Sequence, residues 1–241
     1  MHIYRPYDGT GTPLMNSPES IKRTFFYQTR WLLKNHRFYY TSFVMPLGLA
    51  GSYAAYHGFD NKFTWLILLI LSVTMSSVYH GVFLGHADRM TGTLELLVAS
   101  PMPFLYYLLL RATAISFWSQ LLAWGGVIIV LGVRGFIIGV LSIIGGISFA
   151  AWLAMVGAKI KNTMGFQSVT AFIPLIFAYA SDHYALWPPF RWITYLLPWT
   201  ALWGLVKAWS IKDCLESFGS SILLFGLYIV LGKHFLKKVV D

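Results

Sequence analysis

An uninterrupted apolar run, Trp65-Leu66-Ile67-Leu68-Leu69-Ile70-Leu71, lies inside a longer apolar stretch covering roughly residues 64–84. A helix needs about 20 mostly apolar residues to cross the hydrocarbon core of a bilayer. Five further stretches approach or exceed that length: roughly 38–57, 104–131, 136–158, 164–181 and 217–236. Lipid offers no hydrogen bonds to the backbone, so a crossing segment must satisfy its own N–H and C=O groups, as a helix does. A membrane β-barrel would alternate apolar and polar residues, whereas these runs are continuous. Composition agrees: 57% of the 241 residues are apolar, 17% aromatic and only 11% charged. A soluble domain carries about 25% charged residues. A disordered chain, a secreted disulfide scaffold and an ordinary cytosolic enzyme therefore fit poorly. The lone cysteine, Cys214, makes no internal disulfide and supplies no Cys/His metal cluster. The expected fold class is all-α, a polytopic membrane protein with six transmembrane helices.

The flanking segments differ. Residues 1–17 are polar and contain Gly and Pro, with no apolar core of a secretory signal, and read as a cytoplasmic tail. Residues 18–37 open with Ser17 as N-cap and Pro18 in the first turn. Ile21, Phe25, Leu32 and, beside them, Phe26, Trp31 and Leu33 fall near helical spacing, while Lys22, Arg23, Arg30, Lys34 and Arg37 supply a basic side. That pattern predicts an interfacial amphipathic helix leading into the first span. A seventh apolar region, about 184–209, is interrupted by Pro188, Pro189, Arg191 and Pro198. Adjacent prolines break a straight helix, so this region is expected to form a broken re-entrant or interfacial hairpin on the outer side.

Basic residues set the expected orientation, because cytoplasmic segments of membrane proteins are enriched in Lys and Arg. Of the 18 such residues, only Lys62, Arg134, Arg191, Lys207 and Lys212 fall on the side opposite the N-terminus. Both ends, including the short tail 237–241, are thus expected in the cytoplasm of a plasma-membrane protein. The formal charge of +9 is accounted for by topology and anionic headgroups and calls for no nucleic acid. The connections are short except for 85–103, so residues 38–236 read as one membrane domain.

That longer loop carries the most specific wording. Residues 86–103 read His-Ala-Asp-Arg-Met-Thr-Gly-Thr-Leu-Glu-Leu-Leu-Val-Ala-Ser-Pro-Met-Pro. Thr91 or Thr93 can cap a short helix, Glu95 stands near its positive end and Pro101 stops it. Leu94, Leu97 and Val98 give it an apolar stripe. Such a helix, held in the cytosol by two spans, either fits a partner's groove or lies on the headgroups.

The segment Asp88-Arg89-x-x-Gly92-Thr93-Leu94-Glu95-Leu96-Leu97 followed by Ser100-Pro101 resembles the acidic-Arg-acidic-x-Gly-Thr-Leu-Glu-x-Leu segment of ABC-2-type transporter permeases. Met90 departs from the second acidic place. The stretches Leu186-Trp187-Pro188-Pro189-Phe190-Arg191-Trp192-Ile193 and Leu197-Pro198-Trp199-Thr200 are similar to the broken outer hairpin that follows the fifth span in that family. The layout of an N-terminal elbow helix, six spans and a basic start to the third span (Arg111) matches as well. The resemblance implies a permease that exports its cargo as a dimer with a second copy or a related chain. It implies that Asp88, Arg89, Gly92, Thr93, Leu94, Glu95 and Leu97, within the coupling helix 86–101, dock on a separate ATPase subunit. ATP and Mg would sit on that partner, with no cofactor bound by this chain. It also implies that the second and fifth spans line the pathway.

Residue patterns add candidates. Ser72, Ser76, Tyr79, His80 and Phe83 recur at helical spacing in the second stretch, and Gln167, Thr170 and Pro174 do so more weakly in the fifth. Polar residues inside a membrane face the bundle or a wet path, and small hydroxyls also bond between helices, so pathway lining and helix packing both fit. Trp187, Phe190 and Trp192 are candidates for an outer gate, against the ordinary role of an aromatic belt. Gly135-x-x-x-Gly139 matches a close-packing motif. No phosphate loop is present: Gly226 and Gly232-Lys233-His234 have the wrong spacing and lack the hydroxyl. No nucleophile–base pair or metal set is apparent, so the chain is expected not to be an enzyme. The competing function is a self-sufficient channel or ion-coupled carrier, using His80, Arg111 and Asp182-His183 as its ionisable groups.

Overall fold

The computed structural model describes residues 18–82, 104–159, 197 and 199–240, and all elements among them are helical. The segment with Asp88 to Leu97, the fifth stretch with Gln167 and Thr170, and the hairpin residues Trp187, Phe190 and Trp192 lie outside the described residues.

Helix α1, Pro18–Lys34, is amphipathic. Leu32 is fully buried, whereas Phe26, Tyr27, Arg30 and Lys34 are exposed. The chain then breaks at Asn35, whose side chain accepts from the Arg37 N–H at 3.0 Å and caps the next helix. This α2 runs as His36–Tyr39, a π-helical turn Tyr40–Val44 and Met45–His57. Gly58 ends it with φ of 83°, a conformation that favours glycine. Asn61 caps α3 by accepting from the Phe63 N–H at 3.0 Å. Helix α3 comprises Lys62–Ser76 and a second π-helical turn, Ser77–Val82.

Helix α4, Phe104–Leu131, and α5, Val133–Lys159, form an antiparallel hairpin turning on Gly132, with φ of 60°. Short α6, Thr200–Lys207, precedes the long α7, Ile211–Val240. Helices α3, α4, α5 and α7 each contain a segment long and apolar enough to cross a membrane. The expected first span, 38–57, is helical throughout but is not among those four.

Burial orders the helices. Over their most apolar windows α3 is 89% buried and α7 only 17%, so α3 is central and α7 peripheral. The main core joins Leu66, Leu69, Ile70 and Val73 of α3 to Val127 of α4, Ile138 and Phe149 of α5, and Leu202 and Leu205 of α6. In lipid such packing is held by dispersion and shape, because hydrocarbon tails are as apolar as leucine. Small residues permit the closest approach. A Cβ on Gly157 of α5 would stand 2.6 Å from the Val82 Cα of α3, and one on Gly81 would stand 3.2 Å from the Ala154 nitrogen. Gly135 and Gly139 serve the α4–α5 hairpin, against the Val127–Ile128 backbone and the Trp124 ring respectively.

The described tryptophans after residue 198 are not all at the surface. Trp199 is fully buried with its ring 5.2 Å from Phe149, and Trp203 stacks on Phe63 at 5.5 Å, whereas Trp209 is exposed. Trp199 precedes and Trp203 lies on a short helix docked onto α3 and α5, which turns both rings inward.

Candidate functional site

The polar residues of α3 meet those of α2 at the two π-helical turns. A π turn widens the helix by one residue and shifts the faces beyond it. Ser42 and Ser76 share a hydroxyl–hydroxyl hydrogen bond of 2.6 Å, and Thr41 Oγ1 lies 3.2 Å from His80 Nε2. Phe38 covers the imidazole at 5.3 Å between ring centroids. Ser42, Ser76, Thr41 and His80 are all buried. Fully buried Ser77 Oγ has no hydrogen-bond partner among the described residues.

From α4, Arg111 enters the same end of the bundle. It is 5% exposed, lies 4.9 Å from the Tyr107 ring centroid and donates to the Tyr107 hydroxyl at 2.7 Å. Its helix packs against the π turn that carries His80. A cation inside a membrane domain is costly and marks a functional site by default. Hydroxyl, imidazole and guanidinium groups thus gather from three helices.

The stripe expected on the second stretch is therefore only partly one face. Ser72, Ser76 and His80 turn inward, but Tyr79 is 36% exposed. The π turn explains the split, because helical spacing counted at 3.6 residues no longer applies across Ser77–Val82. Ser76 is bonded to Ser42, and α3 is surrounded on most sides, so Ser76 packs against α2 within this chain.

A second polar knot joins α4 to α5. Gln120 Nε2 donates to Ser116 Oγ at 3.0 Å and to the Ser116 carbonyl at 3.1 Å, while Ser142 Oγ donates to Gln120 Oε1. Ser116 Oγ donates to the Ile143 carbonyl at 2.9 Å. Gly146 leaves room for this knot, since a Cβ there would collide with Ser116 and Gln120. The Gln120 amide is fully buried and uses both its donor and its acceptor. Gln120→Leu is expected to lower stability by about 1–2 kcal/mol, above the ~0.6 kcal/mol average for a polar contact in membranes, because Ser142 also loses its acceptor. Thermal unfolding of the purified protein in detergent measures this.

Thr41, Ser42, Ser116, Gln120 and Ser142 do not stand out from periodicity alone. The available signal was the Ser116/Gln120 pair at i,i+4 inside an apolar run. Gly226 and Gly232 lie within one continuous helix, so no phosphate-binding loop forms there. Among the described residues, no three His, Cys, Asp or Glu side chains come together as a metal set. The chain matches no protein-family model, no curated protein and no solved structure.

Proposed function

We propose that this chain is the membrane-spanning permease subunit of an ATP-binding cassette transporter of the ABC-2 type, working as an exporter. Two such subunits form the substrate pathway, and a separate ATPase drives them from the cytoplasm. Both termini lie in the cytoplasm, and the protein resides in the plasma membrane. The observation that carries this reading is the Gly92-Thr93-Leu94-Glu95 wording with Asp88-Arg89, which falls in the sequence between two apolar helices described up to Val82 and from Phe104. An amphipathic α1 before the membrane helices supports the same layout.

The mechanism is mechanical. An ATPase closing on ATP moves the coupling segment, and the membrane helices respond only as far as that contact differs in energy between their two arrangements. The segment between α3 and α4 is attached directly to the helices that carry His80 and Arg111. Movement there pulls on the polar end of the bundle, where Ser76, His80 and Arg111 are buried.

Purification from the native membrane in mild detergent is the direct test. An ATP-hydrolysing subunit is expected to accompany the chain and to dissociate when Leu94 and Leu97 are replaced by Asp. A second reading, a self-sufficient channel or ion-coupled carrier, is favoured by buried His80 and Arg111 within membrane helices. Ion-driven flux through the purified chain alone in liposomes would select it instead.

A further inference from the structure

Where α1 passes into α2, the surface holds a groove of about 470 Å³, lined by His36, Arg37, Tyr39, Tyr40, Val44 and Tyr79, with Thr41 at its base. The size falls in the range of small-ligand sites. Its walls are mostly the apolar faces of tyrosines and a valine, and its rim carries the cation. Tyr40 is 55% exposed and Val44 57%, although both lie on a helix that otherwise contributes to the core.

Between residues 20 and 59 the charge has one sign. Lys22, Arg23, Arg30, Lys34 and Arg37 all fall between Glu19 and Asp60, and no acidic residue stands between those two. Arg30, Lys34 and Arg37 are exposed. Arg37 makes no side-chain hydrogen bond or ion pair with another described residue. Position fits charge: an amphipathic basic helix lies at the headgroup level, and tyrosines belong to the same zone.

We propose that this groove binds one anionic phospholipid, its phosphate on the Arg37 guanidinium and the upper part of an acyl chain along Tyr40, Val44 and Tyr79. Arginine suits the phosphate because its planar fork matches two oxygens. The tyrosine faces suit methylene groups. A free phosphate would satisfy Arg37 but leave the apolar walls wet, so the combination of rim and walls selects a lipid. Tyr79 is on the helix that carries His80, and Thr41, at the base of the groove, contacts that imidazole. A lipid there rests directly against the buried polar cluster.

The test uses the full-length protein, stripped of lipid in detergent, with dioleoylphosphatidylglycerol and dioleoylphosphatidylcholine titrated separately and bound copies counted by native mass spectrometry. One phosphatidylglycerol is expected to bind at least tenfold more tightly than phosphatidylcholine. Arg37→Gln is expected to remove that preference, and Val44→Trp to weaken binding about tenfold by filling the groove without changing charge. Arg30→Gln is expected to change affinity less than twofold. Each variant is checked for unaltered thermal unfolding, and one that unfolds early is replaced by Arg37→Ala or Val44→Phe at the same position.

Four outcomes would overturn the proposal. Equal binding of the two lipids removes the charge argument. Equal loss from Arg30→Gln and Arg37→Gln means a diffuse basic surface. Competition by glycerol 3-phosphate at the affinity of the whole lipid means a phosphate site without the acyl groove. Lipid binding confined to monomers and lost in dimers assigns the groove to a second copy.

Discussion

Gly157→Leu is expected to destabilise the folded bundle by about 3 kcal/mol or more, the upper range for forcing extra methylenes into a packed interior. Even the first carbon of the new side chain would stand 2.6 Å from the Val82 Cα. That obstacle is backbone and cannot rotate away. Neighbouring Ala150 and Ala154 are fully buried in the same crossing, so α5 has no slack toward α3. Gly157→Ala should show a smaller fall of the same sign. Thermal unfolding of purified protein, followed by size-exclusion chromatography, measures both. Unchanged unfolding for the leucine variant would mean that the two helices do not meet here.

Charge reversal in the segment between α3 and α4 is expected to act on function instead. Under the permease reading, Glu95→Lys should lower ATPase association and transport at least tenfold, while membrane insertion and unfolding stay unchanged. A tenfold loss corresponds to about 1.4 kcal/mol. Removing a charged contact at an interface costs about 2–5 kcal/mol when its partner stays buried. In the short helix that this reading expects, a lysine near the N-terminus would add an unfavourable dipole contact of about 0.3–1 kcal/mol. Glu95→Gln should be milder, since it retains hydrogen bonding without reversing charge. Transport and association both at the unmodified level would argue strongly against docking through this segment.

These two residues differ in what made them visible. Glu95 stands out by wording in the linear chain, whereas nothing near Gly157 announces that Val82 will lie against it. The same contrast runs through the molecule. Length and hydropathy alone located four apolar helices, because the bilayer imposes a strict length on any helix that crosses it. The amphipathic 18–37 segment was legible from its basic and aromatic spacing, and the structure ends that helix at Lys34 because Asn35 caps the next one.

The polar contacts were less legible. Counting by 3.6 residues put Tyr79 beside Ser76, but the π turn at Ser77–Val82 carries it out to the surface. Such a turn answers to tertiary packing and leaves no mark in periodicity. Gln120 was overlooked for a related reason: its partners Ser116 and Ser142 sit on two helices, and only the hairpin at Gly132 brings them together. The tight Gly81–Gly157 crossing likewise needs both helices before the glycines acquire meaning. Gly135-x-x-x-Gly139 was readable as a packing motif, but its partner, the preceding helix α4, was not.

The enclosure of α3 has a consequence for biogenesis. Ribosomes deliver the chain from its N-terminus, so α3 emerges before α4 and α5, the helices that wrap it. Until they arrive, Ser72, Thr74, Ser76 and His80 would face lipid, apart from what α2 can cover. The insertion machinery must therefore shelter a half-dressed segment through the synthesis of the next two helices, and nascent chains halted before Val133 should remain cross-linkable to it.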